Sequence, residues 1–326
     1  MCTSIATVGE KFYFGRNLDL EYSFGDGVVI MPRNFPLRLR CGELLRRHFA
    51  IIGMAKIELG YPLFAEGMNE FGVCIAGLNF AGNARYAHHT ENGKTGIAPF
   101  ELIPYLLSTC QRLDEIKDTL ERIRVVDVPF SEDIGNSPLH WHIADKNGSI
   151  TLEITSDGMK VYDNPHGVLT NNPTFPFHRD NLSLYLNLEN VATKENLPFE
   201  AEIYGGGLMA HGLPGDYSSP SRFVKAAWLM RHHSKGTDTE AEELFSILSA
   251  VAPPKGAVIN SDGQEHFTRY SCIMSGEDGV YYYRTFDNSR LRAVKMKKES
   301  LDDEALLLFR DAEASDVKLL SQPKIL

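Results

Sequence analysis

The sequence predicts an α+β protein in which antiparallel sheets carry helices on their outer faces. Three observations lead there. Runs of β type dominate both ends of the chain, and turn signals join several of them as hairpins. Helical stretches come in two blocks between those runs. They do not follow each strand in turn, as a doubly wound parallel sheet requires.

CTSIATV reads as a strand from its first residue, and KFYFGR, GVVIMP, FAIIGMA and FGVCIAGLNF follow it, separated by Gly, Asp and Asn turns. The first helical block is PFELIPYLLSTC and then LDEIKDTLERI, where Leu113, Ile116, Leu120 and Ile123 recur at helical spacing. Strands return with LHWHIAD, ITLEIT, MKVYD and GVLT, and the Asn-Gly between the first two marks a hairpin. The second block predicts helices over FHRDNLSLYLNL, SRFVKAAWLMRHH and TEAEELFSILSAV, the last ending at Pro253 and Pro254. HFTRYSCIMS and GVYYYRTF close the pattern around a GEDG turn. No linker, repeat or low-complexity segment intervenes, so residues 1–326 read as one domain.

Composition removes several function classes. A net charge of −10 argues against a nucleic-acid surface. No apolar run is long enough to cross a membrane, and no basic-then-apolar leader opens the chain, so a cytoplasmic protein without membrane contact is expected. Cys2, Cys41, Cys74, Cys110 and Cys272 are odd in number and scattered, which suits reduced thiols better than a disulfide frame or a zinc site.

Some apparent motifs fail on inspection. GGGLMA at 205–210 matches a dinucleotide fingerprint, yet the HGLPGD that follows forbids the helix a pyrophosphate needs. NGKT resembles the end of a phosphate loop, but His88 stands where that loop requires glycine. His140 and His142 share one strand face without an evident third ligand, which favours structural histidines. The pairs His88–His89 and His232–His233 point apart and suit the surface.

Cys2 stands out. If Met1 is removed, this residue carries both a thiol and a free α-amine. Such an amine ordinarily titrates at about 7.7–8.0 and can accept a proton near neutrality. One residue then supplies nucleophile and base. Taken alone, Cys2 is better read as a frayed or buried cysteine without a role. Arg16 and Asp19 in FGRNLDLEYSF fall on the second strand of a hairpin beginning at Cys2. A guanidinium favours a thiolate, and a carboxylate can hold an α-ammonium. Their spacing of three puts them on opposite faces of a regular strand, so both reach Cys2 only if the strand bends or ends near Asn17. A solvated Arg–Asp pair is the alternative.

MCTSIATV, YFGRNLD, GMNEFGVCIAGLNF, SPLHW, GVLTNNPTF and GLPGDYSSPSRF, taken in order, resemble the choloylglycine hydrolase family. That family holds bile salt hydrolases and penicillin V acylases within the N-terminal nucleophile hydrolases. The resemblance implies a four-layer αββα sandwich of two antiparallel sheets with outer helices, a homotetramer, a cytoplasmic enzyme, and no metal or organic cofactor. It implies hydrolysis of glycine- or taurine-conjugated bile salts through a thioester on Cys2. Arg16 and Asp19 match the pair around the nucleophile, Asn79 the oxyanion side chain, Asn171 a second polar residue, and Arg222 the arginine behind it. Leu18, Ala65, Phe130 and Ile134 match acyl-pocket positions, and each also suits a core. Asn79 leans toward bile salts, because penicillin V acylases often carry tyrosine there. The alternatives are a penicillin V acylase and a non-catalytic sterol-binding relative.

Overall fold

The computed structural model describes residues 1–8, 11–23, 27–191, 206–237 and 239–310. The chain opens with β1 (Cys2–Ala6), β2 (Tyr13–Leu20), β3 (Gly27–Met31) and the short β4 (Leu37–Arg38) and β5 (Leu44–Leu45). Then come β6 (Ile51–Glu58), β7 (Tyr61–Phe64), β8 (Glu66–Asn69) and β9 (Cys74–Asn79). β10 (Thr95–Ile97) leads into α1 (Leu102–Thr109), α2 (Leu113–Arg122) and β11 (Ile123–Val125). A meander of β12 (Leu139–Asp145), β13 (Gly148–Thr155) and β14 (Gly158–Asp163) precedes β15 (Val168–Leu169) and α3 (Phe175–Leu182). α4 (Ser219–His232) and α5 (Glu240–Ala250) follow, and β16 (Phe267–Ser275), β17 (Val280–Thr285), β18 (Arg292–Lys295) and β19 (Leu307–Phe309) complete the described elements.

These strands build two large antiparallel sheets. One runs β15-β1-β2-β16-β17-β18, the other β14-β13-β12-β9-β8-β6-β3-β19 with β7 paired to β6. Side-chain alternation decides how they stack. On β3, Val28 and Ile30 enter the cluster between the sheets, while Val29 and Met31 join the cluster against α1 and α2. β9 divides the same way, with Cys74, Ala76 and Leu78 inside and Ile75 outside. Burying each such side chain is worth about 1.5–3 kcal/mol, and a one-residue slip would exchange the two sets, so the register is firmly set. α4 and α5 cover the first sheet through Phe223, Ala226, Leu244 and Leu248. The result is helix, sheet, sheet, helix.

The first helix of the second block, predicted over FHRDNLSLYLNL, differs from its sequence reading. It starts earlier, at Phe175, where Thr174 is extended and Pro176 presets the first turn. It stops at Leu182, and a 3-10 turn takes over at Ser183, whose hydroxyl donates to the Asp180 carbonyl at 2.6 Å. Among the described residues no helix is long and apolar enough to cross a membrane.

Candidate active site

The β1–β2 register places Cys2 opposite Leu18 and Ser4 opposite Arg16. Cys2, Ser4, Arg16 and Leu18 therefore share the face turned toward the other sheet. Arg16 Nη2 donates to Cys2 Sγ at 2.8 Å. Both residues are buried, Arg16 completely. Burial opposes the guanidinium charge, but the Cys2 sulfur, Tyr270 and Glu66 outweigh that cost and hold its proton more tightly than usual.

β2 does not break at Asn17; it runs on to Leu20. Asp19 accordingly lies on the opposite face from Arg16. No bend is needed, because the two residues address different parts of the terminus. Arg16 meets the sulfur, whereas Asp19 pairs with the main chain of Met1: its amide donates to the Met1 carbonyl at 3.0 Å and its carbonyl accepts from the Met1 amine at 2.9 Å. Asp19 Oδ1 accepts from Thr268 Oγ1 at 2.6 Å, and the buried Oδ2 has no hydrogen-bond partner among the described residues. A β16 irregularity between Thr268 and Tyr270 lets those two neighbours face opposite sides, Thr268 toward Asp19 and Tyr270 toward Arg16.

Asn171 is the junction of the site. Its Oδ1 accepts from Cys2 N at 2.7 Å and from Arg222 Nη2 at 2.8 Å, and its Nδ2 donates to the Asn79 carbonyl at 2.7 Å. Its own amide donates to Ser219 Oγ at 2.8 Å, and its carbonyl accepts from His178 Nε2 at 2.7 Å. Burial pulls His178 down to about 4, so the ring is neutral near pH 7. Arg222, on α4, also donates to the Cys2 carbonyl, to Thr3 Oγ1 at 2.6 Å and to the Tyr217 carbonyl at 2.9 Å. Burial weakens its hold on its proton, and Asp19 and Cys2 partly offset this.

Asn79 is the last residue of β9, and its side chain is exposed. Leu18 is buried beside Cys2, and the Ala65 carbonyl accepts from Arg16 Nη1 at 3.1 Å. Phe130 is buried in an aromatic group: its ring lies 5.3 Å from Phe100 and 5.8 Å from Tyr61, with the Arg40 guanidinium 5.2 Å above it. Ile134 is half-buried in a tight turn that Ser131 closes at 3.1 Å.

Two features escape a reading of the sequence. Glu66, fully buried on β8, meets Arg16 Nη1 at 3.3 Å from the second sheet. Gly53 on β6 lets the backbone of β8 pass close by at this residue, since a Cβ there would lie 2.1 Å from the Glu66 carbonyl. His178 is the other, placed in a helix that the sequence predicts without assigning this residue a role. His140 and His142 each satisfy both ring nitrogens inside the protein, with Glu153 and Thr170, and with Ser4 and Ser149. In the glycine-rich run at 205–210, residue 205 lies outside the described residues and Leu208–Ala210 form one 3-10 turn, not a helix. A cavity of about 370 Å³ lies elsewhere, lined by Leu186, Leu188 and Trp228, and contains none of the residues around Cys2.

A buried thiol on a fixed guanidinium, with the Asn171 side-chain amide and the Arg222 guanidinium holding its main chain, can carry nucleophilic acyl chemistry. Comparison with known proteins agrees. The family model for linear amide C–N hydrolases of the choloylglycine hydrolase family matches residues 2–309. The bile salt hydrolase/transferase of Lactiplantibacillus plantarum is 43% identical over 95% of this chain and 96% of its own. The crystal structure of the mutant C2A conjugated bile acid hydrolase from Clostridium perfringens superposes with a TM-score of 0.90 at 34% identity, covering 98% of this chain and 100% of that one. A penicillin V acylase from Agrobacterium tumefaciens shares the fold, with a TM-score of 0.73 at 18% identity over 94% of this chain and 90% of its own.

Proposed function

The chain belongs to the choloylglycine hydrolase family of linear amide C–N hydrolases, and on that premise we propose that it is a bile salt hydrolase. It cleaves the amide joining a bile acid to glycine or taurine. The observation that carries the mechanism is the 2.8 Å contact between Arg16 Nη2 and Cys2 Sγ. The choice of bile salts rests on relatives named for that substrate, which are 33–43% identical to this chain.

Removal of Met1 turns the Cys2 amide into a free α-amine. The unpartnered Asp19 Oδ2 is then a natural acceptor for its ammonium form. The α-amine takes the thiol proton, directly or through water, as sulfur attacks the amide carbonyl. A C–S bond forms, and the carbonyl oxygen becomes an oxyanion that the Asn79 side chain stabilises by about 3 kcal/mol. Collapse breaks the C–N bond, and the ammonium returns its proton to the departing glycine or taurine nitrogen. Water then cleaves the thioester, regenerating the thiol and freeing the bile acid. Asn171 and Arg222 hold the Cys2 main chain while this happens. Leu18, Ala65, Phe130 and Ile134 line the acyl side. The same proposal covers one domain over residues 1–326, a homotetramer and a cytoplasmic location; light scattering of the purified protein checks the assembly.

Cys2→Ala is expected to abolish glycocholate hydrolysis while leaving the melting temperature close to that of the wild type. Intact mass should show the mature chain without Met1. Appreciable turnover by the variant, or full activity with Met1 retained, would refute the mechanism. Faster cleavage of penicillin V than of glycocholate would refute the substrate.

A further inference from the structure

We propose that Glu66 is a positioning residue: its carboxylate balances the Arg16 charge and so sets how strongly the guanidinium holds the Cys2 sulfur. This rests on the reading of Cys2 as the nucleophile. Arg16 and Glu66 are both fully buried, so neither charge is screened by water. An uncompensated buried guanidinium is costly, and with no other counter-charge it would be satisfied by a permanent thiolate. A sulfur held that way is a weak attacker, since nucleophilicity falls with basicity.

The geometry avoids both extremes. Arg16 Nη1 is shared among the Gly77 carbonyl at 3.0 Å, the Ala65 carbonyl at 3.1 Å and Glu66 Oε2 at 3.3 Å, so the carboxylate contact is the longest. Glu66 makes its shorter bonds elsewhere, accepting from Tyr270 at 2.7 Å on Oε2 and from Tyr281 at 2.5 Å on Oε1. Tyr270 thus competes with Arg16 for a single oxygen. The carboxylate neutralises from one side without a two-point grip that would draw the guanidinium away, and Nη2 keeps its short contact to sulfur. The titratable groups around this centre are Cys2 with its α-amine on β1, Arg16 and Asp19 on β2, Tyr270 and Cys272 on β16, Tyr281 on β17 and Arg222 on α4. Burial, with Glu66 next in line, pushes the Cys272 thiol up, and burial with Cys272 and Glu66 raises Tyr281, so neither competes for charge near neutrality.

The test is the pH dependence of Cys2 alkylation by iodoacetamide, followed by peptide mass mapping, alongside glycocholate hydrolysis in the wild type, E66Q and Y270F. Glutamine keeps the shape, and tyrosine hydroxyls can turn to accept from its amide. E66Q is expected to move the alkylation midpoint down by about one pH unit. Its limiting rate at high pH should fall about threefold. Y270F should move the midpoint up, because Oε2 relieved of the phenol draws Nη1 closer. An E66Q midpoint that stays or rises overturns the proposal, as does a Y270F midpoint that stays or falls. Should E66Q fail to melt cooperatively, Y270F alone decides. Failure of the underlying reading is separate: the wild type would then keep hydrolysing glycocholate after Cys2 is alkylated.

Discussion

The polar groups around Cys2 and the apolar residues proposed for the acyl side are held in place by different means. On the polar side, Arg16 reaches β1, β8 and β9, Asn171 reaches Cys2, Arg222, Asn79, Ser219 and His178, and Arg222 spans Cys2, Thr3 and Tyr217. On the apolar side, Phe130 and Ile134 sit on a connection after β11, anchored by ring contacts with Phe100, Tyr61 and Arg40 and by one short turn. The polar groups must hold one geometry, because an unpaired buried donor or acceptor costs about 1–3 kcal/mol. Apolar contacts carry no such directional demand. Substitutions on the polar side should therefore act on the rate of the chemical step, and those on the apolar side on substrate affinity.

After Cys2 itself, the largest effect is expected at Asn79. Asn79→Ala removes an exposed side chain, so folding should be untouched. Loss of one oxyanion donor lowers kcat about 10²- to 10³-fold with little change in KM. Steady-state kinetics on glycocholate checks this. A kcat within a few fold of wild type would place oxyanion stabilisation elsewhere and break the contrast.

His178 comes next. It is neutral in the fold, held down to about 4 by burial, and donates to the Asn171 carbonyl at 2.7 Å. The unfolded chain takes up its proton near about 6.5, earlier than the fold does. The associated stability is therefore complete above about pH 6.5 and is lost as pH falls toward 4, at most about 3 kcal/mol. Glutamine can still donate to Asn171 but does not titrate. Urea midpoints at pH 7 and pH 4.5 should fall more for wild type than for His178→Gln. Burial likewise pulls His142 to about 3, with the same sign in both proteins, so only the difference between them reports on His178. Equal losses would remove His178 from the acid response.

What the sequence discloses follows from the same contrast. The strand and helix blocks were readable because apolar residues repeat at period two or at helical spacing, and Cys2, Arg16 and Asp19 because a hairpin brings them together. β7 and β8 were not readable: AEGMNEF shows a carboxylate among Gly and Asn, the letters of a solvated loop. Only Arg16, Tyr270 and Tyr281, far apart in the chain, make Glu66 a buried residue. His178 is hidden for a like reason, since its partner is a main-chain carbonyl that no side-chain pattern announces. β19 escaped because its three residues gain meaning only by pairing with β3. The letters of Phe130 and Ile134 suit a pocket wall and a core alike, so spacing alone does not separate the two.

That ambiguity can be sharpened by the smallest of the expected effects. Phe130 is 6% exposed and meets two rings and a guanidinium, so truncating it disturbs the anchor of the whole segment and reports on folding as much as on substrate. Ile134 is the cleaner probe, because it is half-buried and its turn is closed by main-chain and Ser131 contacts that survive truncation. Ile134→Ala should raise KM for glycocholate about three- to tenfold, the worth of the few methyl groups removed from an apolar contact. Its kcat and melting temperature should stay near wild type, because such a contact is made equally in the ground and transition states. A fall in kcat without a change in KM would mean that the apolar side also steers the scissile amide onto Cys2, and the division between the two sides would dissolve.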